Sequence, residues 1–569
     1  MSTGTISHVI GVKEPPLLEI TIGEVLLGAA QRWPDELALV SRHQDVRLSW
    51  ADLKDLADCF ALGLLALGIE RGDRVGVWAP NCAEWTIAQF ATARAGIILV
   101  NINPAYRVTE LEYTLRKVGV KALVCAESFK SSDYVGMVEE LIPNFGRQTG
   151  GLVDDRLPSL QHIIKIGGSP RRGWKNFGEV CALGREDRQT NLDAVGAQLD
   201  RNDAINIQFT SGTTGLPKGA TLSHRNVVNN AYFCGIAMGL TEGDRLCVPV
   251  PLYHCFGMVM SNLACALHGA TMVYPSAGFE PHAVLQAIEA ERCTALHGVP
   301  TMFIAELEHP TFAKFDLTSL RTGIMAGAPC PIEVMTKVME RMNMRDVGVA
   351  YGMTETSPVS FQSSTSDPVE RRVSTIGRVQ PHLDVKIVDP ETREIVSRGM
   401  PGELCTRGYS VMLGYWDEPE LTAEAIQDGW MHTGDLAVID EQGYGRIVGR
   451  AKDMIIRGGE NIYPREIEEY LYRHEAVEDV QVVGVADEKF GEEICACIRP
   501  RNGSALTAHQ VIEFCRGQIA HYKVPRYVRF FDSFPMTVTG KVQKHLLRDI
   551  VAQDLAETDA PTTYESRRV

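Results

Sequence analysis

Residues 206–224 read N-I-Q-F-T-S-G-T-T-G-L-P-K-G-A-T-L-S-H. The apolar run at 206–209 suits a strand. It opens into Thr210-Ser211-Gly212-Thr213-Thr214-Gly215, followed by Leu216-Pro217-Lys218-Gly219. Glycine admits positive φ and lets backbone N–H groups close on an anion. Thr210, Ser211, Thr213 and Thr214 add hydroxyls and Lys218 an ammonium, the donors a polyphosphate needs. An ordinary Gly/Thr hairpin turn explains the glycines but not Lys218 beside Pro217. An NTPase P-loop requires G-K-[ST] where strand turns to helix, and here Gly219 follows Lys218.

At 569 residues the chain is too long for one core and divides into at least two domains. Residues 72–78 read as a turn feeding a strand, 81–94 as a helix and 96–101 as a buried strand, an alternation typical of an α/β sheet. Residues 17–69 read as amphipathic helices, with Ser49 as an N-cap. Residues 126–205 are less regular, with surface loops at Gly150-Gly151 and at 169–173. Beyond Asp453 the texture changes to a mixed α+β pattern. It has strands at 477–485 and 494–498, a Pro464-led helix continuing through 466–473, and another helix at 511–520.

A net charge of −16 argues against nucleic-acid or anionic-membrane partners, so any phosphate site must be locally positive. The 14 cysteines form no C-x-x-C pair. Cys125, Cys247 and Cys265 sit in apolar runs, where a buried reduced thiol is the default. Cys495 and Cys497 alternate in one strand but lack further ligands at zinc spacing. A reducing cytoplasm is expected. The N-terminus has no export pattern, and no apolar run approaches the roughly twenty residues of a membrane span.

Taken together, T-S-G-T-T-G-L-P-K-G resembles the phosphate-binding signature of the adenylate-forming superfamily, which includes acyl-CoA synthetases, peptide-synthetase adenylation domains and luciferases. The Ala-Gly-x-x-x-Val-Asn-x-Asn-Pro stretch near Gly96 resembles its N-terminal half. Residues 349–356 have the form of its Y-G-x-T-E motif. The resemblance implies a large N-terminal domain of layered sheets flanked by helices (1–451) and a small mobile α+β domain (452–569). Lys452 is the expected hinge and a disordered tail is expected from about 555.

It also implies roles. Tyr351, with Gly352, would stack on adenine, Thr354 would donate to the α-phosphate, and Glu355 would hold Mg²⁺. Asp435 after Thr433-Gly434 would accept both ribose hydroxyls, with Arg450 as second contact. Pro535 to Lys544 matches the P-x-T-x-x-G-K-x-x-K ending, whose Lys541 reaches the nucleotide, while Lys544 is expected to be solvated. His254 would face the substrate carboxylate. Tyr253-His254-Cys255 offers no carboxylate for an α-ammonium, so the substrate should lack an amino group.

Ligands in open α/β sheets gather at strand C-termini, which makes Gly327, Ala328 and Pro329 nucleotide candidates. Val299, Met302, Ile324, Met325 and Ala326 would then line an apolar acyl pocket, and Arg457, Gly458 and Gly459 a coenzyme A channel. Residues 408–416 and 452–464 look like the branch containing medium-chain fatty acyl-CoA ligases.

The expected activity is ATP-dependent activation of a carboxylic acid, then transfer to coenzyme A. A carrier-protein thiol as acceptor, a luciferase-like oxygenase and a non-enzymatic scaffold stay open. Oligomeric state, a homodimer included, is also open.

Overall fold

The computed structural model describes residues 5–143, 154–187, 189–210, 217–457, 460–487, 490–501, 503–537 and 540–557. Two large sheets dominate the N-terminal part. One has the strand order 175–176, 162–165, 120–125, 74–78, 98–101, 204–210, 218–223, 414–415. It is parallel as far as Ala204–Thr210, then turns antiparallel through Lys218–Ser223. The other runs 378–379, 359–362, 346–352, 322–326, 295–298, 245–247, 271–274, 37–41, 46–49, parallel in the middle and antiparallel at both edges.

Helices bury themselves between these sheets. Ala83–Ala95 is buried on nearly every side, with Trp85, Ala88, Phe90 and Ala91 in the main core. That is why it shows no amphipathic stripe. Trp50–Ala66 begins as expected: Ser49 accepts from Asp52 N and the Asp52 carboxylate accepts from Ser49 N, closing a capping box. Residues 17–69 are nonetheless not all helical, since Leu37–Ser41 and Val46–Ser49 pair as a hairpin at the edge of the second sheet. Residues 126–205 likewise contribute His162–Lys165 and Lys175–Asn176 to the first sheet. Gly150 and Gly151 lie outside the described residues.

A third, antiparallel sheet carries 402–408, 430–439 and 445–450. The separate C-terminal domain has its own five-stranded sheet, built from 455–457, 460–462, 477–487, 491–500 and 527–530, and its own core around Ile455, Ile467, Val480 and Ile498. Pro464 occupies the first turn of the helix Pro464–Leu471, as the sequence suggests. The second helix is Ala508–Cys515, started earlier than expected by a Thr507–Gln510 capping box. The last helix, Lys544–Glu557, runs past the point where a tail was expected to begin, and residues from 558 lie outside the described set. No described helix is long and apolar enough to cross a membrane.

Candidate active site

The C-terminal ends of several strands converge on one cleft, and the tip of the small domain enters it. Thr537 and Lys541 close a tight turn: Thr537 N donates to Lys541 O at 2.7 Å, and Lys541 N donates to Thr537 Oγ1 at 3.1 Å. Gly540, at φ +78°, lets this turn press on the large domain. A Cβ there would sit 2.9 Å from Val299 Cγ2, and Thr301 Oγ1 donates to Gly540 O at 3.2 Å. The Lys541 stem then crosses Gly327, where a Cβ would be 3.5 Å from Lys541 Cε.

The Lys541 ammonium arrives among Arg450, Cys255, Asp435 and Glu355. Burial, then the Arg450 charge, lowers its pKa, while Asp435 and Glu355 oppose that shift. His254 lies close by. Its Nδ1 accepts from Phe256 N at 3.2 Å, and burial, then Lys541, pushes its pKa down to about 3, so it is neutral.

Glu355 is only 5% exposed. Its Oε1 accepts from Tyr415 Oη at 2.8 Å and from Thr210 Oγ1 at 3.3 Å, and its backbone O accepts from Met412 N at 2.9 Å. Lys218 opens the strand Lys218–Ser223 with its ammonium 5.1 Å from the Tyr415 ring centroid. Thr354 is buried and accepts at Oγ1 from Cys255 Sγ at 3.6 Å. Behind it, Gln208 Oε1 accepts from Cys255 Sγ at 3.0 Å, and Gln208 Nε2 donates to Asn206 Oδ1 at 2.8 Å. Sequence reasoning missed Tyr415 and Gln208, although both lie inside stretches it singled out.

Asp435 owes its position to a bulge. Glu403 pairs with Leu436 but Cys405 pairs with His432, so residues 433–435 bulge against Leu404 of that strand, with Gly434 at φ +68°, while Asp435 stays paired with Arg450 on the other side. Asp435 Oδ2 accepts from Tyr351 Oη at 2.7 Å and Oδ1 from Arg450 Nε at 3.2 Å. Burial, then Asp435, raises the Tyr351 phenol well above its usual value. Lys452 lies two residues after Arg450 and is exposed in the turn Ala451–Asp453. Gly352 ends its strand, while Ala328 and Pro329 continue the loop from Gly327.

Val299, Met302, Ile324 and Ala326 fall in one buried cluster. Met325 does not join them. It belongs to the opposite cluster because alternate residues of Thr322–Ala326 leave opposite faces. Met302 is also on a helix, Pro300–Leu307, not at a strand end.

Two more expectations change. Lys544 is not solvated: its Nζ pairs with Glu468 Oε1 at 2.5 Å and donates to Val482 O at 3.2 Å. Arg457 stays within the small domain, bidentate on Glu493 at 2.7 and 2.9 Å. Ser211, Gly212, Thr213, Thr214, Gly215, Gly458 and Gly459 lie outside the described residues.

Residues 27–416 match the family model described as "AMP-binding enzyme", and residues 466–541 match that of its C-terminal domain. The chain belongs to the AMP-binding enzymes. Among the family's members, the zebrafish (Danio rerio) mitochondrial medium-chain acyl-CoA ligase ACSF2 is 47% identical over 97% of this chain and 92% of that protein. The human (Homo sapiens) protein of the same name is 46% identical over 97% of this chain and 91% of its own length. Among solved structures, the anthranilate CoA ligase AuaEII with anthranoyl-AMP superposes with a TM-score of 0.85 at 27% identity, covering 96% of this chain and 99% of that one. ATP-bound MatB from Rhodopseudomonas palustris gives 0.80 at 28%, covering 94% and 100%. The fold of this AMP-binding enzyme is therefore that of adenylate-forming enzymes.

Proposed function

We propose that the chain is an AMP-forming acid–thiol ligase that joins an apolar carboxylic acid, of the medium-chain fatty class, to coenzyme A. The observation carrying this reading is Lys541 of the small domain seated among Glu355, Asp435, Arg450 and His254 of the large one. In the first step a carboxylate oxygen bonds to the α-phosphorus of ATP and the bond to pyrophosphate breaks. Two anions must be brought together, so the site has to cancel charge and fix alignment.

Lys541, Thr354, Lys218 and the loop from Thr210 to Gly215 do this, with Gly327, Ala328 and Pro329 beside the nucleotide. Tyr351 and Gly352 flank the adenine, and Asp435 and Arg450 take the ribose. Neutral His254, whose Nδ1 is committed to Phe256, offers Nε2–H to the carboxylate. Val299, Met302, Ile324 and Ala326 receive the tail.

Glu355 fits a magnesium ion. It is a buried carboxylate whose bonds among the described residues both fall on Oε1, which leaves Oε2 to coordinate a cation that takes its other ligands from phosphate and water. The ion would neutralise phosphate charge there. In the second step the coenzyme A thiolate attacks the acyl carbon and AMP leaves. Rotation at Lys452 would withdraw Lys541 and bring the Arg457–Gly459 edge to the cleft. All 14 cysteines are free thiols, which supports a reducing compartment such as the cytoplasm.

The test is a carboxylic-acid panel scored by pyrophosphate release with and without coenzyme A. Six- to twelve-carbon acids lacking an amino group should turn over best and only with both co-substrates. Release that requires a holo-carrier protein, or that peaks with amino acids, would overturn the reading.

A further inference from the structure

Away from the cleft, one set of metal-ligand side chains is prearranged by strand register. Cys405 on Gly402–Gly408 pairs directly with His432 on Trp430–Ile439, and Glu403 lies two residues from Cys405 on the same face. Cys405 Sγ is 3.4 Å from His432 Nδ1, and that nitrogen is 3.0 Å from Glu403 Oε2. All three ligand atoms fall within 4.8 Å of one another. A tetrahedral zinc ion, with bonds of about 2.3 Å to sulfur and about 2.0–2.1 Å to nitrogen and oxygen, needs S···N and N···O edges of about 3.5 and 3.3 Å. The cluster already stands within a few tenths of an ångström of both. Cys405 is fully buried, and the side chains of His432 and Glu403 are 14% and 12% exposed, so the ligands are held and partly dry.

A cation already uses two of these three ligands. Arg393 Nη1 lies 2.5 Å from Glu403 Oε2 and 3.2 Å from His432 Nδ1. The Arg393 side chain is 53% exposed, so an incoming ion can displace its guanidinium into water. Glu403 also reaches the nucleotide site, because its Oε1 accepts from Gly434 N at 3.2 Å, inside the bulge that carries Asp435.

We propose that Glu403, Cys405 and His432 form a binding site for a zinc-class divalent cation that competes with Arg393 and acts on Asp435 through the Glu403–Gly434 bond. Binding replaces the Cys405 thiol proton, released to water, with a metal–thiolate bond. The link to catalysis rests on the reading of Asp435 as the ribose contact, whereas the site itself does not.

Cobalt(II), a spectroscopic stand-in for zinc, is titrated into the full chain while the thiolate-to-cobalt absorption is followed. One equivalent should bind, at least tenfold tighter in Arg393→Ala, at least tenfold weaker in His432→Gln, and without the thiolate band in Cys405→Ser. No band in either wild type or Arg393→Ala, or a band that survives in Cys405→Ser, would overturn the site. In turnover assays zinc should raise the KM for ATP at least threefold in wild type and not in Cys405→Ser. An equal rise in both would overturn the coupling while leaving the binding result, and the proposed ligase activity, to be judged separately.

Discussion

Lys541 and Arg457 belong to the same small domain and have opposite surroundings. Lys541 is inserted into the large domain, its stem on Gly327 and its charge among Arg450, Asp435 and Glu355. Arg457 turns its guanidinium back onto Glu493 of its own sheet and stacks at 4.4 Å on Phe490. One packed domain with its own core cannot present both edges to one cleft at once. On the proposed reading, the difference teaches that the two half-reactions would draw on two orientations, with the orientation seen here, Lys541 in the cleft, the one suited to adenylation. In that orientation the domains also touch through the Glu308–Arg501 ion pair at 2.6 Å and through the Ile332 backbone on Glu469.

The largest expected effect breaks the Lys541 side. Lys541→Ala should lower acyl-adenylate formation by about 10³-fold, in line with loss of a charged group aimed at the reacting phosphate. Thioester formation from supplied acyl-adenylate should stay within about threefold, and equal loss of both steps in a two-stage assay would refute the assignment. Glu355→Gln should cost adenylation about 10²-fold and raise the magnesium concentration needed for half-maximal rate. Tyr415→Phe, which removes one bond to Glu355, should cost about tenfold by the same assay.

Arg457→Ala is the mirror test. It should slow the thioester step about tenfold while leaving pyrophosphate exchange unchanged, and the reverse pattern would remove Arg457 from the second orientation.

A smaller, pH-dependent effect separates the cleft from the core. His254 and His297 have pKa values pushed down to about 3, and His224 to about 4, each chiefly by burial. The unfolded chain binds these protons near pH 6.5 and the folded chain does not. Stability is therefore full above about pH 6.5 and falls as pH drops toward 3–4, by up to about 1.4 kcal/mol per pH unit for each histidine. Urea unfolding across pH 7 to 4.5 should show this slope, and His297→Gln should flatten it without altering activity at pH 7.5. Glu308→Gln, which removes the charge of the largely exposed Glu308–Arg501 pair, should change stability by less than about 1 kcal/mol.

The sequence pattern made some of this legible because it is local. Ser49 as an N-cap and Pro464 at a helix start are short-range signals, and the structure contains both. The motif residues Glu355, Asp435, Arg450 and Lys541 were each readable one by one, yet their meeting depends on strand order across three sheets and on the docking of a domain. Met325 could have been excluded by simple alternation along its strand. The hairpin at 37–49 hid within amphipathic text because its strands are short and sit at a sheet edge. Tyr415 and Lys544 were hidden for another reason: their partners, Glu355 and Glu468, lie 60 and 76 residues away, and no spacing rule reports such a bond.

The most direct test holds the small domain where it is. Glu308→Cys with Arg501→Cys, in a Cys59→Ser background because Cys59 is the one native thiol that is not buried, can be bridged by a short bis-maleimide. The bridged enzyme should still form acyl-adenylate and release pyrophosphate, while thioester formation falls at least a hundredfold. Thioester production at the unbridged rate would contradict the account.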